Sequence, residues 1–410
     1  MATGNRLGKS LTRRPEYTFQ ANLNNGRHGW LRLTPAYSAS LVQERLNSYS
    51  PNLAVLDPFG GTGTTALIAG QLGFESTTTE INPFLVWLAS VKTRVYTEAH
   101  ISQAYHAAQQ VLQLSKQIDH SAIQLPPIRD IQRWWSPEPL EWLAALHGAL
   151  HQLPWEKYVV DLLQLAFARC LIDLSNASYH HPSISFREDQ PRLEMEDYDA
   201  LFLRHLEHIL QGARQNPQVQ PRVIQEDARS LGSLPEKAYD LIITSPPYVN
   251  RISYIRELRP YMYWLGYLKD GREAGELDWQ AIGGTWGTAT SRLKLWQPRS
   301  EISTEAQAIA EQIEAAHPEN GRLLANYVRK YFEDMSLHIQ SLARLLRSGA
   351  RIHYIVGNSS FYGVLIPVEQ ILARYFRQQG FECIKVEVLR KRNCKRELYE
   401  YEITGIFGGA

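Results

Sequence analysis

The stretch that most limits the fold of this chain runs from Leu53 to Leu72. Four apolar residues, Leu53-Ala54-Val55-Leu56, lead into Asp57-Pro58-Phe59-Gly60-Gly61-Thr62-Gly63-Thr64-Thr65, and Ala66, Leu67, Ile68, Ala69 and Leu72 continue at helical spacing until Gly73. Strand, glycine-rich turn and helix in that order form a βα unit, the element at which open α/β sheets bind nucleotides. The next strand, Glu75 to Thr79, ends on Glu80, twenty-three positions after Asp57, where an acid can accept from ribose hydroxyls. The turn has neither a Gly-Lys-Ser/Thr ending nor the G-x-G-x-x-G spacing, so a nucleoside triphosphate and a dinucleotide both fit poorly. A nucleoside cofactor without phosphates fits better, with backbone amides receiving a carboxylate. The competing reading is a turn whose glycines serve packing alone.

A second strand end stands out. Tyr239-Asp240-Leu241-Ile242-Ile243 is a buried strand that closes on Thr244-Ser245-Pro246-Pro247-Tyr248. Pro246 lacks an N–H and fixes φ, and Pro247 restricts Pro246 to extended conformations, so the turn is stiff and its carbonyls point in set directions. A rigid carbonyl and the Ser245 hydroxyl could accept both hydrogens of a planar amine, with Tyr248 stacked on the ring that carries it. The same residues also make an ordinary strand-to-loop turn. Between the two landmarks, Val223-Ile224-Gln225-Glu226-Asp227-Ala228 reads as a short strand ending in an acid; Asp227 is placed to accept from an adenine amine, or is a plain strand-end carboxylate.

The rest of the chain is organised around these pieces. Residues 1–25 read as a flexible basic arm, and 26–98 as the first part of an α/β core. From 99 to 220 strand signals stop and leucines recur at helical periods, which predicts a helical insertion. Residues 221–250 return to the core, 251–322 form a second, loop-rich insertion, and 323–410 close the core with a long helix and three strands. Ile282-Gly283-Gly284-Thr285-Trp286-Gly287-Thr288 is expected as an exposed loop. Interleaved cations and aromatics after Tyr248, among them Arg251 and Arg256, suit phosphate contact and base stacking, although Tyr254, Leu258, Tyr261 and Leu265 also share a helix face. Arg390-Lys391-Arg392-Asn393-Cys394-Lys395-Arg396 is expected at a hairpin tip, either solvated or on phosphates.

Composition excludes more than it selects. The formal net charge is +1, so a nucleic-acid partner would have to be held by local patches. Cys170, Cys383 and Cys394 are far apart, which argues against a disulfide framework and a cysteine zinc site, and His180, His181 and His205-Leu206-Glu207-His208 lack ligand spacing; no metal is expected. No stretch is long and apolar enough to span a bilayer, and the N-terminus lacks a leader pattern, so a cytoplasmic protein without membrane contact is expected.

Taken together, Asp57 to Thr65, Thr244 to Tyr248 and Trp30 to Ser38 resemble the S-adenosylmethionine-dependent amino-methyltransferases of DNA, in the Ser-Pro-Pro-Tyr form that is similar to cytosine-N4 enzymes. The resemblance covers roughly 27–98 and 221–410. It implies a Rossmann-like doubly wound sheet and direct methyl transfer from S-adenosylmethionine to a cytosine amine flipped out of double-stranded DNA. It further implies that Asp57, Phe59, Gly61, Gly63, Glu80, Ile81, Asp227 and Trp30 hold the cofactor. Ser245, Pro246, Pro247 and Tyr248 would hold the base, and Arg251, Arg256, Arg392 and Lys395 the DNA. A restriction endonuclease would be a functional rather than a physical partner. Adenine-N6 or RNA amine methylation on the same scaffold, and a DNA-binding module without turnover, are the competing functions. Ring-carbon methylation is disfavoured because no cysteine follows a proline in a strand-end loop.

Overall fold

The computed structural model describes residues 15–23, 25–33, 37–119, 123–152, 154–178, 185–186, 195–251, 253–284, 288–299, 302–392 and 397–409. Seven strands form the central sheet: β1 (Val55–Asp57), β2 (Ser76–Glu80), β3 (Arg222–Gln225), β4 (Tyr239–Thr244), β5 (Leu346–Gly357), β6 (Phe381–Lys391) and β7 (Tyr399–Phe407). Their spatial order is β3-β2-β1-β4-β5-β7-β6. The first five run parallel, and β7 inserts antiparallel between β5 and β6. This is the doubly wound order, in which the chain direction across the sheet reverses between β1 and β4 and opens a crevice beyond their carboxyl ends.

Alternation along the strands explains the layers. Val55 of β1, with Leu241 and Ile243 of β4, packs under α1 (Ala39–Leu46) and α2 (Thr64–Gln71). Past α3 (Pro83–Thr93), the described residues of segment 99–220 are built on four long helices, α4 (Glu98–Ser115), α5 (Pro137–Gln152), α6 (Lys157–Asp173) and α7 (Met195–Ala213), with one short helical turn, Ile131–Trp134, before α5. These share one apolar cluster with Phe84 and Trp87 of α3. The segment 251–322 is mostly helical, with α8 (Tyr254–Trp264), α9 (Gly271–Gln280), a shorter helix Thr288–Leu295 and α10 (Thr304–Ala316), before α11 (Gly321–Leu345) and α12 (Val368–Gln378) complete the core. Leu56 and Ile242 face the opposite way from their neighbours, into a cluster with α11 and α12. Strands covered on both faces read as continuous apolar runs, as these do.

Several expectations are corrected. Residues 15–23 are not part of a flexible arm: Asn22 is buried, its amide donating to the Tyr37 carbonyl at 2.8 Å and its Oδ1 accepting from Ala39 N at 2.9 Å. The second insertion is not loop-rich, because the face of Leu258, Tyr261 and Met262 on α8 joins the helical cluster. Ile282, Gly283 and Gly284 are buried rather than exposed; a side chain at Gly284 would meet the Asp278 carbonyl at 1.7 Å. β3 stops at Gln225, before Asp227: Glu226 N makes a last bond to β2 at the Glu80 carbonyl, and the chain then turns, with Ser230 N and Leu231 N donating to the Asp227 carbonyl. The stretch 285–287, residues 393–396 with Lys395 and Cys394, the His180-His181 pair, Thr34 to Ala36 and the first fourteen residues lie outside the described residues.

Candidate active site

The glycine turn and the Ser-Pro-Pro-Tyr turn leave the sheet side by side at its switch point. Val55 of β1 pairs with Leu241 of β4, and Leu56 with Ile242, so Asp57 and Thr244 end adjacent strands. Thr244 Oγ1 donates to Asp57 Oδ1 at 2.6 Å, and Phe59 N donates to the same oxygen at 3.1 Å. Asp57 Oδ2 has no hydrogen-bond partner among the described residues. Burial pushes the Asp57 carboxyl up to about 6.

One cleft connects the two turns. Its walls include Phe59, Gly61, Glu80, Ile81 and Asp227 from the cofactor side, and Ser245, Pro247 and Tyr254 from the other. Glu80 Oε2 accepts from Gly61 N at 2.9 Å and Oε1 from Asn82 N at 2.9 Å, which fixes the carboxylate against the turn; its pKa is raised by burial. Gly61 and Gly63 both adopt positive φ, and a Cβ at Gly63 would stand 2.9 Å from that of Ala89, so the turn and α3 approach as only glycine allows. Lys92 of α3 reaches under the turn to the Thr62 carbonyl at 2.8 Å, and burial brings its ammonium down to about 7. The Phe59 ring is met edge-on by His338 at 4.6 Å. His338 in turn is bridged between the Ala228 carbonyl and the Tyr354 hydroxyl, and burial lowers its pKa to about 4.

On the other wall, the Ser-Pro-Pro-Tyr turn is braced from two sides. Tyr331 of α11 donates to the Pro247 carbonyl at 2.9 Å, and Tyr327, one turn earlier, accepts from Arg251 N at 3.2 Å. Ser245 Oγ lies 3.1 Å from the Ile355 carbonyl and 3.5 Å from Tyr248 Oη. Tyr248 Oη donates to Glu400 Oε1 at 2.8 Å, and the Arg392 guanidinium stands over the Tyr248 ring at 4.9 Å from its centroid. Burial, and then the charge of Glu400, push the Tyr248 phenol well above its usual range, so it stays a neutral donor.

Not every expected residue is where the resemblance put it. Trp30 does not line the cleft. It is fully buried in the helical cluster, edge-on to Tyr96 at 6.4 Å and close against Gly212. The other end of that segment does reach the site through Tyr37, whose hydroxyl contacts Thr65 Oγ1. Asp227 lines the cleft but is bound by Arg229, with Nη2 at 2.6 Å and Nε at 3.0 Å. Burial works to raise its pKa, and the Arg229 contacts outweigh that and hold it below the usual range. Arg251 is exposed and Arg256 half-buried, and neither is among the residues that line the cleft. Glu400 was missed, although its signal was readable: Tyr399-Glu400-Tyr401-Glu402 puts two acids on the inward face of an alternating strand. Among the described residues no three His, Cys, Asp or Glu side chains gather as a metal site, and no helix is long and apolar enough to cross a membrane.

The carboxylates and glycines fit a nucleoside that carries an amino acid. Glu80 faces the cleft where sugar hydroxyls can donate, and Phe59 and Ile81 offer apolar faces, whereas Asp57 is buried and is not among the residues that line the cleft.

No protein-family model matches the chain. It is similar to a Type II methyltransferase, M.BsoBI, of Geobacillus stearothermophilus, with 21% identity over 433 aligned positions that cover 94% of this chain and 84% of the relative. It is similar also to the Type II methyltransferase M.AvaI of Nostoc sp. PCC 7120, 23% identical over 421 positions covering 94% and 85%. Solved structures that resemble it include a TehB-like SAM-dependent methyltransferase of Corynebacterium glutamicum (8% identity, TM-score 0.29, 89% of this chain and 86% of that one). Another is the rRNA methyltransferase aviRa of Streptomyces viridochromogenes (11%, TM-score 0.28, 94% and 92%). The strand order β3-β2-β1-β4-β5-β7-β6 is itself that of a doubly wound, Rossmann-like sheet.

Proposed function

We propose that this chain is an S-adenosylmethionine-dependent methyltransferase that modifies the exocyclic N4 amine of cytosine in duplex DNA after the base is flipped out. The observation that carries this reading is that Ser245 and the Gly61–Glu80 pair open onto one cleft at the switch point of a doubly wound sheet. The similarity to Type II methyltransferases along most of the chain supports it.

In this reading Glu80 receives the ribose hydroxyls, and Phe59 and Ile81 flank the adenosine. S-adenosylmethionine held by these residues would supply an electrophilic methyl group. The protein's own part is to prepare the amine. A cytosine amine is a poor nucleophile while its lone pair is conjugated with the ring. Hydrogen bonds from its two N–H groups to Ser245 Oγ and the Pro246 carbonyl favour a pyramidal nitrogen, and the rigid turn holds those acceptors in place. Tyr248 stacks on the extruded base, and Arg251 and Arg256 meet phosphates. Asp227, both of whose oxygens already accept from Arg229, would add the adenine amine as a further donor.

The test is direct. The full chain, incubated with unmethylated plasmid DNA and cofactor carrying a labelled methyl group, is expected to yield N4-methylcytosine on digestion. Label found only in adenine, or only when RNA is the substrate, overturns the assignment. Ser245→Ala is expected to lower the single-turnover rate by about 10²-fold, the scale of losing one preorganised hydrogen-bonding group.

A further inference from the structure

The methyl transfer proposed above leaves a proton to be removed, and this inference rests on that reading. When the amine lone pair forms the new N–C bond, the methyl–sulfur bond breaks with its electron pair on sulfur. The nitrogen becomes cationic with two hydrogens, one of which must leave to give the neutral methylamine.

We propose that this proton leaves along a hydrogen-bonded chain, Ser245 Oγ to Tyr248 Oη to Glu400 Oε1, with Glu400 as the final acceptor. The contacts are 3.5 Å and 2.8 Å, and both run outward from the cleft with the donor toward the substrate side. Ser245 takes the amine proton while its own passes to Tyr248, and the phenol proton passes to the Glu400 carboxylate. One positive charge is thereby moved from the base to a carboxylate that becomes neutral, and no other reactant is needed. In the resting protein the Ser245 hydroxyl also has the Ile355 carbonyl at 3.1 Å; hydroxyl rotation switches it to Tyr248, and long contacts of this kind tighten in the reacting complex.

The fold explains why an acid so late in the chain reaches the site. β7 runs antiparallel, so its beginning lies beside the carboxyl end of β5, with Glu400 paired to Gly357. Across the hairpin Glu400 also pairs with Arg390, whose Nε reaches Oε2 at 2.6 Å. Arg390 Nη2 also donates to Oε1 at 3.2 Å, so Arg390 fixes the whole carboxylate and Oε1 is shared between it and the shorter contact from Tyr248. The charged groups that face the chain of donors are Arg390 from β6 and Arg392 over the Tyr248 ring. Glu400 is only 6% exposed, so the accepted proton stays out of bulk water during the step. Tyr248 thus has two jobs, stacking by its ring and relaying by its hydroxyl.

The two jobs can be separated. Tyr248→Phe keeps the ring, and Glu400→Gln keeps shape and an acceptor but cannot act as a base. Each full-length variant is compared with wild type for single-turnover methyl transfer from labelled S-adenosylmethionine to unmethylated plasmid DNA, and for affinity to a fragment of the same DNA. Both substitutions are expected to slow transfer by about 10²-fold or more, the range of general-base losses, with affinity changed less than about threefold. The double variant is expected to be no slower than the slower single, because both cut one path. Glu400→Asp is expected to restore part of the rate. Tyr248→Phe leaves the Glu400–Arg390 pair intact, so it decides the matter even if Glu400→Gln folds poorly. Wild-type transfer rates in either single variant, multiplicative losses in the double, or a loss confined to affinity would overturn the relay. Wild-type protein that labels no DNA amine overturns the underlying reading, and the relay with it.

Discussion

At Asp57, burial lifts the carboxyl to about 6 from an ordinary 3.8, so the native protein binds that proton more tightly than the unfolded chain does. The stability this group contributes is therefore full at low pH, declines as pH rises from 3.8 to about 6, and leaves a cost on the order of 3 kcal/mol above that window. Asp57→Asn keeps an oxygen for Phe59 N and Thr244 and removes the charge. It is expected to raise the thermal midpoint above pH 6 and to flatten that decline in stability; calorimetric scans across pH check the two together. A fall in midpoint at neutral pH would show that the carboxylate is stabilised by contacts other than those described. Asp57 was legible in the sequence because an acid ending a strand before a glycine turn is a local pattern. The lift in its pKa was not, since it comes from the strands and helices that enclose it.

Among elements, Arg27 adds a polar tie between the helical insertion and the core beside the apolar cluster they share. Arg27 is buried, and its guanidinium donates to the carbonyls of Gly212 at 2.9 Å and Ala213 at 2.7 Å, at the end of α7. It donates also to those of Lys92 at 2.9 Å and Arg94 at 2.6 Å, at the end of α3, and to Asn216 Oδ1 at 2.8 Å. Helix ends leave carbonyls without internal partners, and here one cation supplies two ends at once, where the dipoles also favour positive charge. Arg27→Met is expected to cost on the order of 3 kcal/mol or more in a denaturant titration, because several buried acceptors lose their donor together. A loss below about 1 kcal/mol would mean that water or neighbouring groups replace it. α8 shows a smaller version of the same device. Pro260 removes the N–H that would bond the Arg256 carbonyl, and Arg259 Nε donates to it at 3.2 Å. The periodic apolar face of α8 was visible in the sequence, but its docking was not, because the partner surface is assembled from α3 and from insertion helices distant in sequence, as in the contacts of Trp264 with Trp135 and Phe167.

Across the whole molecule, the net charge of +1 supplies no long-range pull toward nucleic acid. Association in the proposed function then depends on a few exposed or half-buried cations, among them Arg251 and Arg256. Replacing either by Gln is expected to weaken binding to duplexes of any sequence alike and to reduce the salt-dependence slope by about one, as read from binding at a series of salt concentrations. A change confined to one target sequence would instead make that arginine a reader of bases. The charged tip after β6 illustrates the limit of reading cations from a run: Arg390 is ion-paired with Glu400 and Arg392 is turned onto Tyr248, so the run is partly consumed inside the site.

The sequence by itself determined the βα unit, the stiff Ser-Pro-Pro-Tyr turn and the order in which they occur, because glycine, proline and alternating apolar residues act over a few positions. Only the tertiary structure decided that the two turns share a cleft, since their adjacency comes from pairing β1 with β4 across nearly two hundred residues. It also placed Trp30 in the helical cluster and brought Glu400 to Tyr248. Such contacts depend on strand order and direction, and no local pattern of residues encodes them.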